Sequence, residues 1–581
     1  MQRFAWQNKK EKYNSESRSL RFEKEKDMSR KDTRVRETIF PIRIVKVFGN
    51  VQNAEALLQE KPLQITTNET VFATLTNDGD EHAGILLDFG KELHGSVRLL
   101  GFKGENRSVK QAAGAYPVVR VSCGESVGEA VHPLFYKGST NDHAVRDLTL
   151  SVPPYSDMTL CETGFRFVYV ELQGEKATLL LQSVTAVAIY RDIPYVGTFR
   201  SNDTLLNQIY DVAAYTCHLS MQQYVWDGIK RDRLVWIGDM YPEMLTIQTV
   251  FGRQQVLEDS LRFSMDSTPL PRWMNDFPAY SLWWIMIVHD WYFYTGEQSI
   301  LSEFGDYVNK LLTQVCRHIK DDGQDTMPAY FLDWPCRGLL QEKSGVRALL
   351  VIALKKGAAL ARYCGKEEIA CLCEKKAQAI LSTKEQSYGA KQVAAMLSLA
   401  GWYDEKAAAD EILEQGAKGW STFMSYFLLK AASFVDMPAT LCTLREYYGS
   451  MLKMGATTFW EDFNMDWLQN AVSIDQLPAE GQSDIHGDNG AFCYKGYRHS
   501  LCHGWSSGPT AFLAEEVLGI HIAEIGCKKI VICPNLGDLE WAEGTYPLPQ
   551  GILSVSHRRN ADGTITTDYT VPDGVEVVVK Q

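Results

Sequence analysis

Nowhere in the 581 residues do about 18 apolar positions run without interruption, so no membrane-spanning helix is expected. The stretch Met1 to Arg36 is dense in Lys, Arg and Glu and has no apolar core. It reads as a frayed or partly helical charged extension and not as a signal peptide. A P-loop is missing, and so is a dinucleotide glycine fingerprint after a strand. Positive charge is in short supply: the net charge of −13 argues against nucleic acid or an anionic membrane as a partner. Paired or metal-type cysteine spacing is lacking too. The 13 cysteines are an odd number. Cys371 and Cys373 diverge on a helical stretch, and Cys217-His218 and Cys502-His503 are adjacent pairs without ligand spacing. Reduced thiols in a cytoplasmic setting are expected, with neither metal nor cofactor.

What the chain has is length, aromatics and a change of texture. A chain of 581 residues is too long for one core. Its 45% hydrophobic and 23% charged content are those of a globular protein, and 14 Trp with 26 Tyr are on the rich side. From about Ile39 to Tyr195 short alternating segments, such as Ile85–Gly90, Val118–Ser122 and Phe165–Leu172, read as strands of a β-sandwich. After Thr198 the period becomes helical, with Leu205, Ile209 and Val212 following a candidate cap at Ser201 or Asn202. Roughly a dozen helices are expected to about Leu518, among them Tyr241–Phe251, Ala279–Thr295, Gly345–Tyr363 and Lys391–Leu399. Past Gly519, segments such as Lys529–Ile532 and Gly551–Ser556 return to strand, with Asp562-Gly563 supplying a turn. The expected division is a charged extension 1–38, an N-terminal β-sandwich 39–196, a helical domain 197–518 and a C-terminal β-sandwich 519–581.

The densest chemistry is Asp227-Gly-Ile-Lys-Arg-Asp-Arg-Leu-Val-Trp-Ile-Gly-Asp239. If Asp232 opens a helix, Trp236 and Asp239 follow it on one face. A buried face with two acids and an indole is costly unless something polar binds there. A sugar suits it, because hydroxyls bond carboxylates while the C–H face of the ring packs on tryptophan. A surface helix start with Arg/Asp pairs is the blander reading. Three more clusters repeat the pairing of acid or His with Trp: Asp333-Trp334, Trp460-Glu461-Asp462, and His503-Gly504-Trp505 in a Ser/Gly-rich turn. They fall in the two long polar stretches, 320–343 and 460–505, where sites on helical scaffolds sit.

In these segments the chain resembles the bacterial α-L-rhamnosidases of glycoside hydrolase family 78. Leu87-Asp-Phe-Gly-Lys-Glu-Leu-His-Gly95, Asp227–Asp239, Gly455-Ala-Thr-Thr-Phe-Trp-Glu461, Ser500–His503, Ile532-Cys-Pro534 and Pro549-Gln-Gly-Ile552 carry the resemblance. It implies a multidomain protein whose all-α (α/α)6 barrel is flanked by two β-sandwiches. It also implies that Asp232 is the general acid and Glu461 the general base that activates water. Asp227, Arg231, Trp236, Asp239, Trp460 and His503 fall at substrate-binding positions, with Asp333 and Trp334 on a further loop. The family inverts configuration, which calls for carboxyl groups about 6.5–9.5 Å apart. The acid is usually Glu, whereas position 232 is Asp, and the stretch between Glu461 and His503 is longer than usual. The expected function is removal of terminal α-L-rhamnose or a related hexose from a carbohydrate substrate. A degenerate carbohydrate-binding protein, or a six-hairpin enzyme for another sugar such as an unsaturated uronyl unit, are the alternatives.

Overall fold

The computed structural model describes residues 32–68, 71–107, 115–338 and 340–580. Most of the expected charged extension therefore lies outside the described residues. Its last part is not a frayed end: Val35–Ile39 is a strand paired antiparallel with Ala186–Tyr190.

Nine strands form the N-terminal sheet. The long strand Gly84–Asn106 is shared and links them into one hydrogen-bonded network. Its first part pairs with Arg43–Phe48, its second with Lys176–Tyr190, and both parts with Ser156–Gln173. Alternation decides the faces. Ile85, Leu87, Val97 and Leu99 pack into one core with Val168, Val170 and Leu172. Leu86, Phe167 and Tyr169 pack on the other side around Val127 and Ala130.

Twelve α-helices follow between Thr204 and Phe512 among the described residues. We number them α1 (Thr204–Ser220), α2 (Met240–Val250), α3 (Gln255–Ser267), α4 (Pro278–Thr295), α5 (Gln298–Arg317), α6 (Leu340–Tyr363), α7 (Glu367–Leu381), α8 (Lys391–Leu399), α9 (Glu405–Leu413), α10 (Ser425–Ser433), α11 (Met437–Lys453) and α12 (Gly508–Phe512). Even-numbered helices touch in succession, and α12 returns to α2, so they close a ring. Their sequences show why they are inside. Helix α4 is apolar nearly all round, starting on Pro278 and stopping at left-handed Gly296. By contrast α5 buries only a stripe, with Ile300, Leu301, Phe304, Val308, Leu311, Leu312 and Val315 at helical spacing.

At the C-terminal end, Trp541–Leu548, Gly551–Arg559 and Ile565–Thr570 form a sheet that takes its fourth strand, Thr198–Ser201, from the junction ahead of α1. A second sheet joins Ile520–Ile522, Lys529–Ile532 and Glu576–Val579. The molecule is thus a helical core between β-sheet regions.

Candidate active site

The segment 227–239 does not open a helix at Asp232. It is an irregular loop, and α2 starts at Met240. The Asp227 carboxylate causes this: it accepts the backbone N–H groups of Asp232 at 2.8 Å and Leu234 at 3.0 Å. A side chain that supplies these acceptors competes with helix formation. Asn275 fixes the far end, accepting Ile237 N–H at 3.1 Å and donating to the Val235 carbonyl at 3.1 Å. The spacing of four still brings Trp236 to Asp232, since the indole N–H donates to Oδ2 at 3.2 Å.

Backbone hydrogen bonds zip this loop to the two distant motifs. Gly504 N–H donates to Asp227 O at 2.7 Å, and Gly228 bridges His503. His503 N–H donates to Phe459 O at 3.0 Å and Glu461 N–H to Ser500 O at 2.9 Å. The approach demands glycine at 504, where a Cβ would lie 1.6 Å from Glu243 Oε1.

The three segments wall a cavity of about 250 Å³ over the N-terminal ends of the inner helices. That is the room of roughly eight waters, the scale of one sugar ring. Asp227, Arg231, Asp232, Trp236 and Asp239 line it, and so do Trp334, Glu461 and His503. Two expected site residues do not. Trp460 is 1% exposed, edge-on to Phe463 and His499 in the core. Asp333 is buried beneath the wall, where it accepts the Trp334 N–H and the Ser421 hydroxyl and so holds the Trp334 loop. Burial pushes its carboxyl up to about 6.

Arg231 and Arg233 part company. Arg233 points away, to Glu162 at 3.1 Å and over the Trp226 ring. Arg231 points in, with one nitrogen 3.3 Å from Asp232 Oδ1 and another 2.8 Å from Glu461 Oε1. One guanidinium thus spans both carboxylates, whose nearest oxygens are no more than about 8.5 Å apart by hydrogen-bond reach. The second Glu461 oxygen accepts Ser500 N–H at 3.1 Å. Burial alone would raise the Glu461 carboxyl, but Arg231, with His503 and His499, holds it below its ordinary value. It is held as a carboxylate.

On the other side, His503 Nε2 lies 3.1 Å from Asp239 Oδ2. Burial would depress the imidazole, yet the Asp239 hydrogen bond and the nearby carboxylates lift it to about 8. Burial pushes Asp227 up to about 7 and raises Asp239. Ligand atoms of Asp227, Asp239 and His503 lie within 4.8 Å of one another, a grouping that could hold a cation. The Asp239–His503 hydrogen bond already uses one nitrogen and one oxygen of that set.

The remaining wall is not legible in sequence. Tyr280 belongs to an almost wholly apolar helix and looks like core; Cys493 and Arg337 sit in irregular stretches. Trp505 carries a signal, two residues after His503, and its indole N–H donates to Glu461 O at 2.9 Å. A further signal lies in Gly504-Trp-Ser-Ser-Gly508, which has the Gly-x-Ser-x-Gly spacing of a nucleophile elbow. Ser506 is not a nucleophile here: it is fully buried and donates to His503 O at 2.6 Å.

Residues 194–399 match the bacterial alpha-L-rhamnosidase 6 hairpin glycosidase domain, and residues 519–580 the bacterial alpha-L-rhamnosidase C-terminal domain. Two stretches of the chain thus match domains of the bacterial α-L-rhamnosidase family. The rhamnosidase domain match includes Asp227–Asp239 and stops short of Glu461 and His503. Among solved structures, the family 78 rhamnosidase of Bacillus sp. GL1 is similar at 23% identity and TM-score 0.72, over 90% of this chain and 55% of that one. The rhamnosidase from Klebsiella oxytoca with rhamnose bound gives 18% identity and TM-score 0.59, over 83% and 96%. The Streptomyces avermitilis α-L-rhamnosidase complexed with L-rhamnose gives 17% and 0.64, over 85% and 48%. At these identities the likeness is one of fold, and the chain spans little more than half the length of the Bacillus protein. No curated protein sequence matches it.

Proposed function

We propose that the protein is an inverting exo-glycosidase that removes terminal α-L-rhamnosyl or closely related units, on an (α/α)6 barrel flanked by β-sandwich domains. The observation that carries this reading is the Arg231 bridge between Asp232 and Glu461 at the wall of a sugar-sized cavity. Asp232 gives its proton to the leaving oxygen. Glu461, kept ionised by Arg231, takes a proton from the water that attacks the opposite face. Asp239 and His503 bond ring hydroxyls, and Trp236 and Trp334 offer flat apolar faces. Phe492 stacks on Trp334 with ring centroids 5.4 Å apart, so the 463–499 segment roofs one end of the cavity, which favours chain ends over interior units.

The test is hydrolysis of p-nitrophenyl α-L-rhamnoside by wild type, Asp232→Asn and Glu461→Gln, with the first product anomer read by NMR. Each substitution is expected to cost at least about 10²-fold in kcat, and the first product is expected to be the β-anomer. Undiminished turnover in either variant, or the α-anomer first, would overturn the assignment. One observation favours a second reading. Arg337 lies at the rim, 4.9 Å from the Trp334 ring, where it could meet a uronyl carboxylate. Preference for unsaturated uronyl over rhamnosyl substrates, lost in Arg337→Met, would support it.

A further inference from the structure

We propose that His143, carried by the N-terminal sheet domain, shares the acid's proton with Asp232, so that the proton donor is an Asp232–His143 pair. The inference rests on the reading of Asp232 as the acid.

His143 Nε2 lies 3.2 Å from Asp232 Oδ1, and both side chains are partly open to solvent, at 28% and 21%. The turn that delivers it is firmly built. Asn141 Oδ1 accepts the backbone N–H groups of Arg146 and Asp147, each at 3.1 Å, and its amide donates to Asp147 O at 2.8 Å. Asp142 is bonded to Thr140 and paired with Arg498, which belongs to the 463–499 segment. His143 itself sits in the left-handed region at φ 65°, which turns its side chain out of the sheet domain and against the 227–239 loop.

The donors and acceptors around Asp232 give the contact its meaning. Arg231 reaches Oδ1 at 3.3 Å and the Trp236 indole reaches Oδ2 at 3.2 Å. Both can only donate. They support the ionised carboxylate and cannot accept from a carboxylic O–H. Imidazole is the neighbour that can do either: it donates Nε2–H to the carboxylate, or accepts a carboxylic proton at the same nitrogen. The charged groups facing it are of both signs. They are Asp232 and Asp142, whose Oδ2 is 3.7 Å from Nε2, and Arg231 and Arg498, which pair with those two acids. One proton thus has two seats 3.2 Å apart, within reach of water on one side and of the cavity through Asp232 on the other.

In the step, the glycosidic C–O bond breaks and its electron pair stays on the leaving oxygen. That oxygen takes the proton from the pair, which is left as carboxylate and neutral imidazole. Glu461 takes a proton from the attacking water, whose oxygen forms the new bond to carbon. Solvent reprotonates the pair and Glu461 returns its proton to solvent, so charge and protons balance over a turnover.

A proton-sharing role and a merely structural one differ in leaving-group dependence, because good leaving groups need little acid help. The experiment compares wild type, His143→Ala, His143→Gln and Asp232→Asn on a series from 2,4-dinitrophenyl to p-nitrophenyl to methyl α-L-rhamnoside, with thermal melts as a folding control. Gln can donate to Asp232 but cannot carry the proton. Both His143 variants are expected to stay within about threefold of wild type on the dinitrophenyl substrate and to lose at least about tenfold more on the methyl one, as a lost proton donor should. A loss equal across the series, no loss at all, or full rescue by Gln overturns the inference. If wild type is active and Asp232→Asn alone shows the leaving-group dependence, His143 is excluded while the proposed reaction stands. If wild type hydrolyses none of the rhamnosides, the reaction itself is wrong and the pair falls with it.

Discussion

His503 is the residue whose charge state is written most plainly in its surroundings. Burial works against its charge, but its partner Asp239, with Glu461 and Asp227 beyond, lifts the imidazole from 6.5 to about 8. Burial raises Asp239 as well, so the pair keeps a proton across neutrality in the 3.1 Å contact between His503 Nε2 and Asp239 Oδ2. By linkage, a group raised in the folded state adds stability that is complete below pH 6.5 and is lost as pH rises through 8. The shift corresponds to something on the order of 2 kcal/mol. Urea unfolding at pH 6 and pH 9 should show a drop that is smaller by about that size in His503→Gln, the remainder coming from carboxyls such as Asp227 and Glu125 that burial raises to about 7. A drop undiminished by the substitution would assign the effect elsewhere. Asp227 works differently, through its two backbone contacts at 2.8 and 3.0 Å. Asp227→Asn keeps one acceptor oxygen for two N–H groups, and it should cost about 1.5–3 kcal/mol. Because the Asp232 backbone hangs on one of those contacts, kcat should fall with it, and a stability loss without a rate loss would separate the two.

At the scale of elements, helices are legible where periodicity and stop signals agree. Lys391–Leu399 is a helix with the expected bounds, closed by left-handed Gly401. The departure at Asp232 has a local cause: the charge pattern resembles a helix start, but only the fold shows that Asp227 turns back to cap the loop from inside. Asp333 and Trp460 resemble binding residues because they adjoin Trp334 and Glu461, yet neighbours on an extended segment point to opposite sides. Tyr280 is hidden because an inner helix buried on all sides gives no sign of which turn meets the cavity. The stretch between Glu461 and His503 is legible only as unusual length. In the structure it brings Phe492 against Trp334 and Cys493 to the wall. That contact is stacking across the rim, worth about 0.5–1.5 kcal/mol. Phe492→Ala should therefore raise KM roughly twofold to tenfold and leave kcat near wild type, the signature of uniform binding. A fall in kcat instead would mean that the segment orders the catalytic groups.

At the scale of the molecule, the N-terminal sheet is part of the site's foundation. Gly164 lets it approach the 227–239 loop, since a Cβ there would meet Ile229 Cγ1 at 2.7 Å and Lys230 N at 2.9 Å. Lys230 then crosses into the sheet domain and is buried with its ammonium among Glu125 at 2.9 Å, Glu129 at 3.3 Å and the carbonyls of Tyr497 and His499 at 2.9 and 2.6 Å. Glu125 also accepts Leu501 N–H at 2.7 Å, beside the Ser500 N–H that holds Glu461. Burial raises Glu125 to about 7, and the Lys230 charge is the largest force holding it down. Removing that charge strands Glu125 next to Glu92, which burial already raises, and leaves Glu129 with Arg146 at 3.5 Å. Lys230→Met should cost about 3–5 kcal/mol, the usual result of breaking a buried pair from one side. Adding Glu125→Gln and Glu129→Gln should recover only part of it, because this removes the stranded Glu125 charge but also takes the Glu129 carboxylate from Arg146. Urea midpoints of the single and triple variants measure both effects. A triple variant less stable than the single one would show that Glu125 and Glu129 matter for their hydrogen bonds and not for Lys230. A triple variant that regains stability but not turnover would show that the Glu125–Leu501 contact sets the position of Glu461.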